Sequence, residues 1–110
     1  MTELPVLYLT TTGRTTGLPR EIEIWFVAAG GELYVLAEHF HKAHWVQNIA
    51  RNPRVRVRLG DREFGATARA LDRERDRETW EQAQDLARKK YGWGEGLPVE
   101  IVLDEPVQTA

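Results

Sequence analysis

Hydrophobic and polar residues alternate along most of this chain, and that period predicts a protein built mainly of β-strands. Between residues 20 and 28, for example, Ile22, Ile24 and Phe26 alternate with charged or aromatic neighbours. A period of two places alternate side chains on opposite faces of a strand. Alternation or a short apolar run marks six predicted strands, at residues 6–10, 20–28, 32–37, 54–59, 62–71 and 98–103.

Two other segments have the spacing of a helix. Trp45 and Ile49 belong to an apolar stripe over residues 43–51, and Pro53 stops that helix because proline disfavours helix at the residue before it. The longer segment, residues 72–91, has Asp72 as its predicted N-cap and Gly92 at its end. The remaining residues, 104–110, are predicted to be a frayed tail.

The predicted order is β-β-β-α-β-β-α-β, in which hairpins join most strands. That order argues against a doubly wound parallel sheet, in which helices alternate with strands. We predict a mainly β (α+β) fold, a barrel of about six antiparallel strands with one short and one long peripheral helix. A chain of 110 residues is expected to form a single domain over residues 1–110.

Composition narrows the classes of function. A net charge of −2 gives no basic field for nucleic acid, and the absence of cysteine excludes disulfides and thiolate metal sites. The start of the chain lacks the pattern of a signal peptide, and the longest apolar stretch is too short to span a membrane. We therefore expect a cytoplasmic protein.

The candidate binding site is the stretch TTTGRTTGLPR at residues 10–20. Its glycines permit backbone conformations in which successive amides form an anion-binding nest. Arginine forks and threonine hydroxyls suit a phosphate, whereas the simpler alternative is a polar turn in solvent. The candidate residues of this stretch are Thr12, Gly13, Arg14, Thr15, Thr16, Gly17 and Arg20.

Three histidines, His39, His41 and His44, lie within six positions. One interpretation is a polar loop without chemistry, and a second is a metal site, although no carboxylate stands at a fixed spacing from them. The third is a proton donor beside a cofactor, because histidine titrates near neutral pH.

Two motifs occur in order along the chain: Thr11–Gly17, and then Trp45-Val46-Gln47-Asn48 followed by Asn52-Pro53-Arg54-Val55. Together they resemble motifs of the nitroreductase family of deazaflavin-dependent oxidoreductases. The resemblance covers residues 6–103. It implies a split β-barrel, akin to the flavin-binding proteins of the pyridoxamine-phosphate-oxidase type. It also implies coenzyme F-420, a deazaflavin with a phosphate and a polyglutamate tail, as the carrier of hydride.

The same resemblance implies roles for individual residues. The loop at residues 13–17 would bind the phosphate and the tail. The ring would lie near Ala37, Glu38, His39 and His41, with Trp45 and Asn48 supporting that wall. His39 and His41 are the predicted catalytic residues, and no metal is predicted. This chain departs from the family here, since a small Ser/Lys/Gly-rich turn is usual at residues 37–42.

Several alternatives remain open at this point. The protein could bind FMN in the same type of barrel, or be a non-enzymatic module for haem or a fatty acid. Arg54, Arg56 and Arg58 are a solvated strand face or a surface that steers the acidic tail. A small-molecule acceptor (a quinone, a nitro-aromatic or an enone-like compound) and a homodimer are the expected partners.

Overall fold

The computed structural model describes residues 4–105, which form six strands and two helices. The strands are β1 (Val6–Thr12), β2 (Pro19–Ala29), β3 (Glu32–Ala37), β4 (Arg54–Leu59), β5 (Arg62–Ala70) and β6 (Leu97–Leu103). The helices are α1 (His44–Arg51) and α2 (Arg77–Tyr91), and a single 3-10 turn, Phe40–Lys42, precedes α1.

All six strands pair antiparallel and close into one barrel, in the order β1-β2-β3-β6-β5-β4. Gly30 and Gly31 make the β2–β3 hairpin with φ of 60° and 86°. Two successive positive φ values define the tight turn whose twist matches that of the strands, and glycine adopts them without strain. The predicted mainly β barrel with two peripheral helices is confirmed.

The inward rows of the strands form one apolar core. Leu7, Leu9, Val35, Val99 and Ile101 are each fully buried there. The outer face of β3 is buried as well, because α2 packs across β2 and β6 on that side. Helix α1 contacts β1 and β5, and it covers the part of the barrel where β1 ends.

Three features differ from the sequence prediction by more than a shift of one residue. Strand β1 extends to Thr12, since Thr11 and Thr12 pair with Arg20 and Pro19 of β2. Asp104, which the sequence assigns to the tail, is instead tied to β5 by its backbone N–H and to Arg54 by its carboxylate. Residues 106–110 of the predicted tail lie outside the described residues.

The third difference is the start of α2, at Arg77 rather than at residue 72. The carboxylate of Asp72 accepts from the N–H groups of Glu74 and Arg75, so it stabilises a separate turn ahead of the helix. These two bonds lower the pKa of Asp72, and the bond from Arg75 has the larger effect.

Over residues 4–105, neither helix is long and apolar enough to cross a membrane.

Candidate functional site

The loop between β1 and β2 is folded by its own amides. Gly13 N–H donates to the Leu18 carbonyl and Gly17 N–H to the Gly13 carbonyl, both at 2.8 Å. Leu18 N–H donates to Thr16 Oγ1 at 3.2 Å. Gly17, with φ of 72°, takes the left-handed conformation that closes the turn. These bonds use part of the predicted nest, while Thr15 and Thr16 remain exposed at the tip.

A buried amide of α1 holds this loop against the barrel. Asn48 Oδ1 accepts from Arg14 N–H at 3.1 Å and from Arg14 Nη1 at 2.9 Å. On its other side, Asn48 Nδ2 donates to Thr11 Oγ1 at 3.1 Å. Over residues 4–105, Thr11 and Asn48 are the two buried polar residues, at 1% and 4% exposure. Since a buried amide must be hydrogen-bonded, Asn48 links β1, the loop and α1 at one point.

His44, one helical turn before Asn48, completes the contacts of Arg14. Its carbonyl accepts from Arg14 Nη1 at 3.4 Å, and its ring Nδ1 lies 3.1 Å from Arg14 Nη2. A guanidinium can only donate, so Nδ1 is the acceptor in this contact and the imidazole is neutral there. Of the three histidines, His44 is the one that reaches the loop.

The charge of Arg14 is not balanced by a neighbouring carboxylate. The four ion pairs of the described chain involve Arg54, Arg69 (twice) and Arg88, and in residues 4–105 no acidic group lies within ion-pair distance of Arg14. Its acceptors are an amide, a carbonyl and a neutral imidazole. Two of its five N–H groups, one of them on Nε, have no acceptor among these contacts. The half-buried guanidinium thus retains both charge and donors for an anion.

A groove of about 720 Å³ reaches the start of α1 through Ala43 and Trp45, the chain neighbours of His44. Its floor and walls are mostly apolar and aromatic, with contributions from β2, the end of β3, the start of α1 and the end of α2. The aromatic members are Trp25, Phe26, Trp45, Tyr91 and Trp93. A groove of this kind fits a flat ring system, because aromatic walls offer a large contact area.

The helical side of the groove is fixed by the C-terminal end of α2. Tyr91 stacks on Trp25 with ring centroids 4.5 Å apart and planes 2° apart. Tyr91 Oη also bonds the backbone of Phe26, and Lys90 Nζ donates to the Phe26 and Leu4 carbonyls at 2.9 Å. Trp25 nevertheless keeps 48% of its surface exposed. The aromatic wall is therefore held in place while one of its faces stays open.

The structure divides the predicted site residues between the loop and the groove. Thr12, Gly13, Arg14, Thr15, Thr16 and Gly17 lie at the loop, Asn48 joins them there, and Arg20 is exposed at the start of β2. Ala37, Glu38, His39 and Trp45 line the groove. His41 is exposed and not part of that lining, and its carbonyl accepts from Gln47 Nε2 at 3.0 Å.

The turn that carries His39 has an unusual backbone. In the described part of the chain, Phe40 is the one non-glycine residue with a positive φ, 53°. Such a conformation costs free energy and persists where the surrounding structure enforces it. Across residues 4–105, no three His, Cys, Asp or Glu side chains converge in a way that would hold a metal ion.

Trp25, Tyr91 and Trp93 line the groove but are not among the residues that the sequence predicts for the site, and the contact of His44 with Arg14 was not predicted. His44 and Asn48 are separated by four positions, so their shared helical face was a usable signal. Tyr91 lies 66 positions from Trp25 in the chain, and no local pattern brings these two rings together.

The half-buried Arg14 and the aromatic groove both meet the start of α1, and together they suit a flat cofactor with an anionic end. The model of the family described as F420H(2)-dependent quinone reductase matches residues 1–106, and the chain belongs to this family. The cofactor of the family is reduced coenzyme F-420, which makes its members deazaflavin-dependent oxidoreductases.

Solved structures agree with this assignment. The chain is 29% identical to an F420-H2 dependent reductase (FDR-A), with 89% of this chain and 93% of that one covered at a TM-score of 0.66. It is 28% identical to a protein described as a domain-swapped dimer, over 89% of this chain and 79% of that one, at a TM-score of 0.62. HutZ, a haem storage protein from Vibrio cholerae, is 22% identical over 97% of this chain and 84% of its own, at a TM-score of 0.71. That last likeness concerns the fold alone.

Proposed function

We propose that this protein binds reduced coenzyme F-420 and transfers its hydride to a small acceptor of the quinone, nitro-aromatic or enone type. The observation that carries this proposal is Arg14, whose charge is unbalanced within residues 4–105 and which contacts His44, between the groove-lining residues Ala43 and Trp45. The family assignment supports the cofactor, and the acceptor class is our inference.

The loop would hold the anionic part of the cofactor. Arg14 would donate to the phosphate or the acidic tail through the N–H groups that its protein acceptors leave free. The exposed hydroxyls of Thr15 and Thr16 add donors at the tip, and Thr12 and Arg20 flank the same turn. The Asn48 amide keeps the turn closed against α1.

The groove would hold the deazaflavin ring, with Ala37, Glu38, His39 and Trp45 on one side. The bound cofactor supplies the hydride, and the protein supplies orientation and a surface from which water is excluded. No nucleophile is required for this chemistry, which suits a chain without cysteine.

For the proton that accompanies hydride transfer, we propose His39 as the donor, because His39 lines the groove. The matched control is His41, which the sequence also predicts as catalytic but which lies outside that lining. We expect His39→Ala to lower kcat more than cofactor affinity, because a proton donor acts on the transition state. His41→Ala having the larger effect on kcat would exchange the two roles.

The proposed function is tested by titrating the purified protein with oxidised coenzyme F-420 and measuring binding from the change in fluorescence. The reduced form is then mixed with quinone, nitro-aromatic and enone acceptors, and its oxidation is followed. Binding at tens of micromolar or tighter, with oxidation by at least one acceptor class, is the expected result. Binding of FMN alone would replace the cofactor, and binding of neither would leave an apolar-ligand module as the better account.

We also propose that the protein forms a homodimer through the region of Trp25, a large aromatic residue that is 48% exposed. A two-fold interface would double any contact that this ring makes. Light scattering at micromolar concentration is expected to give twice the mass of the 12.6 kDa chain, and a 12.6 kDa particle would contradict the proposal.

A further inference from the structure

Asn48 holds Arg14 with a neutral oxygen at a buried position, where a carboxylate would make the same hydrogen bonds. Its Oδ1 accepts from both the backbone and the guanidinium of Arg14, which is the usual task of an aspartate in a protein. On the other side of Asn48, Thr11 Oγ1 accepts from Asn48 Nδ2. If an oxygen replaced that nitrogen, the Thr11 hydroxyl could donate to it instead. Hydrogen bonding alone therefore does not require asparagine.

The difference between the two residues is charge. A carboxylate at this position would lie about 3 Å from the guanidinium and neutralise it, since opposite charges at contact distance interact strongly where water is excluded. His44 follows the same rule, because its ring contact requires a neutral imidazole and its second contact is a carbonyl. Among the hydrogen-bonded neighbours of Asn48 in residues 4–105, Arg14 from the loop is the charged group and β1 contributes the Thr11 hydroxyl. The titratable ring of His44 contacts Arg14 and belongs to the same helix as Asn48.

We propose that Asn48 is a positioning residue that fixes Arg14 while preserving its positive charge, and that this neutral clamp sets the preference of the site for the anionic end of the deazaflavin. This inference rests on the proposed function. The clamp, which is Asn48 with its hydrogen bonds to Arg14, would determine recognition of the phosphate and tail rather than of the ring.

The experiment compares two ligands, oxidised coenzyme F-420 and the same deazaflavin without its phosphate and tail. Asn48→Asp keeps the acceptors and the size of the side chain but adds a charge. We expect it to weaken binding of the complete cofactor by about 10-fold or more, the value of one charged hydrogen bond. Binding of the truncated ligand is expected to change by less than about twofold, because that ligand presents no anion to the clamp.

A substitution at the buried Asn48 can also disturb folding, so a second variant places the negative charge on an exposed residue. His44→Glu places a carboxylate on an exposed residue at the start of α1, where a negative charge is compatible with the helix dipole. It is expected to reproduce the selective loss, and the neutral variant His44→Gln is expected to lose less affinity for the complete cofactor than His44→Glu does.

The pH profile separates charge from structure. The carboxylate introduced by Asn48→Asp becomes neutral as pH falls through its pKa, so the ratio of the two affinities is expected to recover towards the wild-type ratio at acidic pH. A structural defect would lower both affinities together and would not recover.

Equal loss for both ligands, or no loss in either acidic variant, would overturn the inference while leaving the proposed function in place. A wild type that binds both ligands equally would also overturn it. A wild type that binds neither ligand would overturn the inference and the proposed function together.

Discussion

Arg14 and Arg69 are both held by several hydrogen bonds, yet their acceptors differ in charge. Arg69 donates to both carboxylate oxygens of Asp76, at 3.0 and 3.1 Å, and to Glu100 at 3.1 Å. Glu100 in turn accepts from Tyr34 at 3.0 Å. The pKa of Tyr34 is raised mainly by burial and, to a smaller extent, by this hydrogen bond. Arg14 has only neutral acceptors.

The comparison separates an arginine that stabilises the fold from one that remains able to bind a ligand. Arg69 joins β5, β6 and the turn before α2, and its charge is more than balanced by two carboxylates. Arg14 is equally well fixed, but the protein leaves its charge to be balanced by something else. Four experiments test this distinction.

The largest expected effect is on cofactor affinity in Arg14→Ala. One charged hydrogen bond is worth ~1.5–3 kcal/mol, which corresponds to a loss of roughly 10- to 150-fold in affinity. Fluorescence titration with the oxidised cofactor measures it, and unchanged affinity would mean that the loop is only a polar turn.

Arg69→Met is the matched control, and we expect the opposite pattern. Removing the guanidinium leaves the carboxylates of Asp76 and Glu100 together without a cation, so the free energy of unfolding is expected to fall by about 1–2 kcal/mol. Denaturant unfolding measures this loss. Cofactor affinity is expected to stay within twofold of the wild type, and a larger drop would show that the two regions are coupled.

Gly17→Ala tests the shape of the loop without touching its charge. The φ of 72° is unfavourable for alanine by about 1 kcal/mol, and an added Cβ would meet no atom within 4 Å. The same strain is expected to lower the free energy of unfolding by about 1 kcal/mol, and affinity is expected to fall severalfold at most. A result as large as that of Arg14→Ala would indicate that loop conformation, and not charge, dominates binding.

The smallest effect is the response of stability to acid. The hydrogen bond from Arg69 lowers the pKa of Asp76 below its ordinary value of 3.8, so its contribution is present above pH 3.8 and is lost as pH falls through the lowered pKa. Unfolding midpoints measured from pH 5 to pH 2 should therefore fall less steeply in Arg69→Met than in the wild type. Parallel curves would contradict the assigned role of Arg69.

The fold was largely predictable because its signals are local. Alternation defines the strands, and Gly30-Gly31 allows one kind of hairpin. The start of α2 was placed too early because the carboxylate of Asp72 serves an isolated turn as well as it would serve a helix, and local sequence does not distinguish the two.

The candidate site was predictable only in part. The loop residues follow one another in the chain, and the resemblance placed Asn48 at the site. That Asn48 contacts Arg14, and that Tyr91 stacks on Trp25, depends on how distant segments pack. The contacts of Arg14 are neutral because the fold places the acidic residues of 4–105 beyond ion-pair distance from it. This arrangement depends on tertiary packing and cannot be predicted from spacing in the sequence.

The most direct test of the account is a cycle of four titrations. Wild type and Arg14→Ala are each titrated with complete oxidised coenzyme F-420 and with the deazaflavin lacking phosphate and tail. We predict that the wild type prefers the complete cofactor by at least about 10-fold and that Arg14→Ala loses most of this preference. If Arg14→Ala retains the full preference, another group binds the anionic end and the account of Arg14 is wrong.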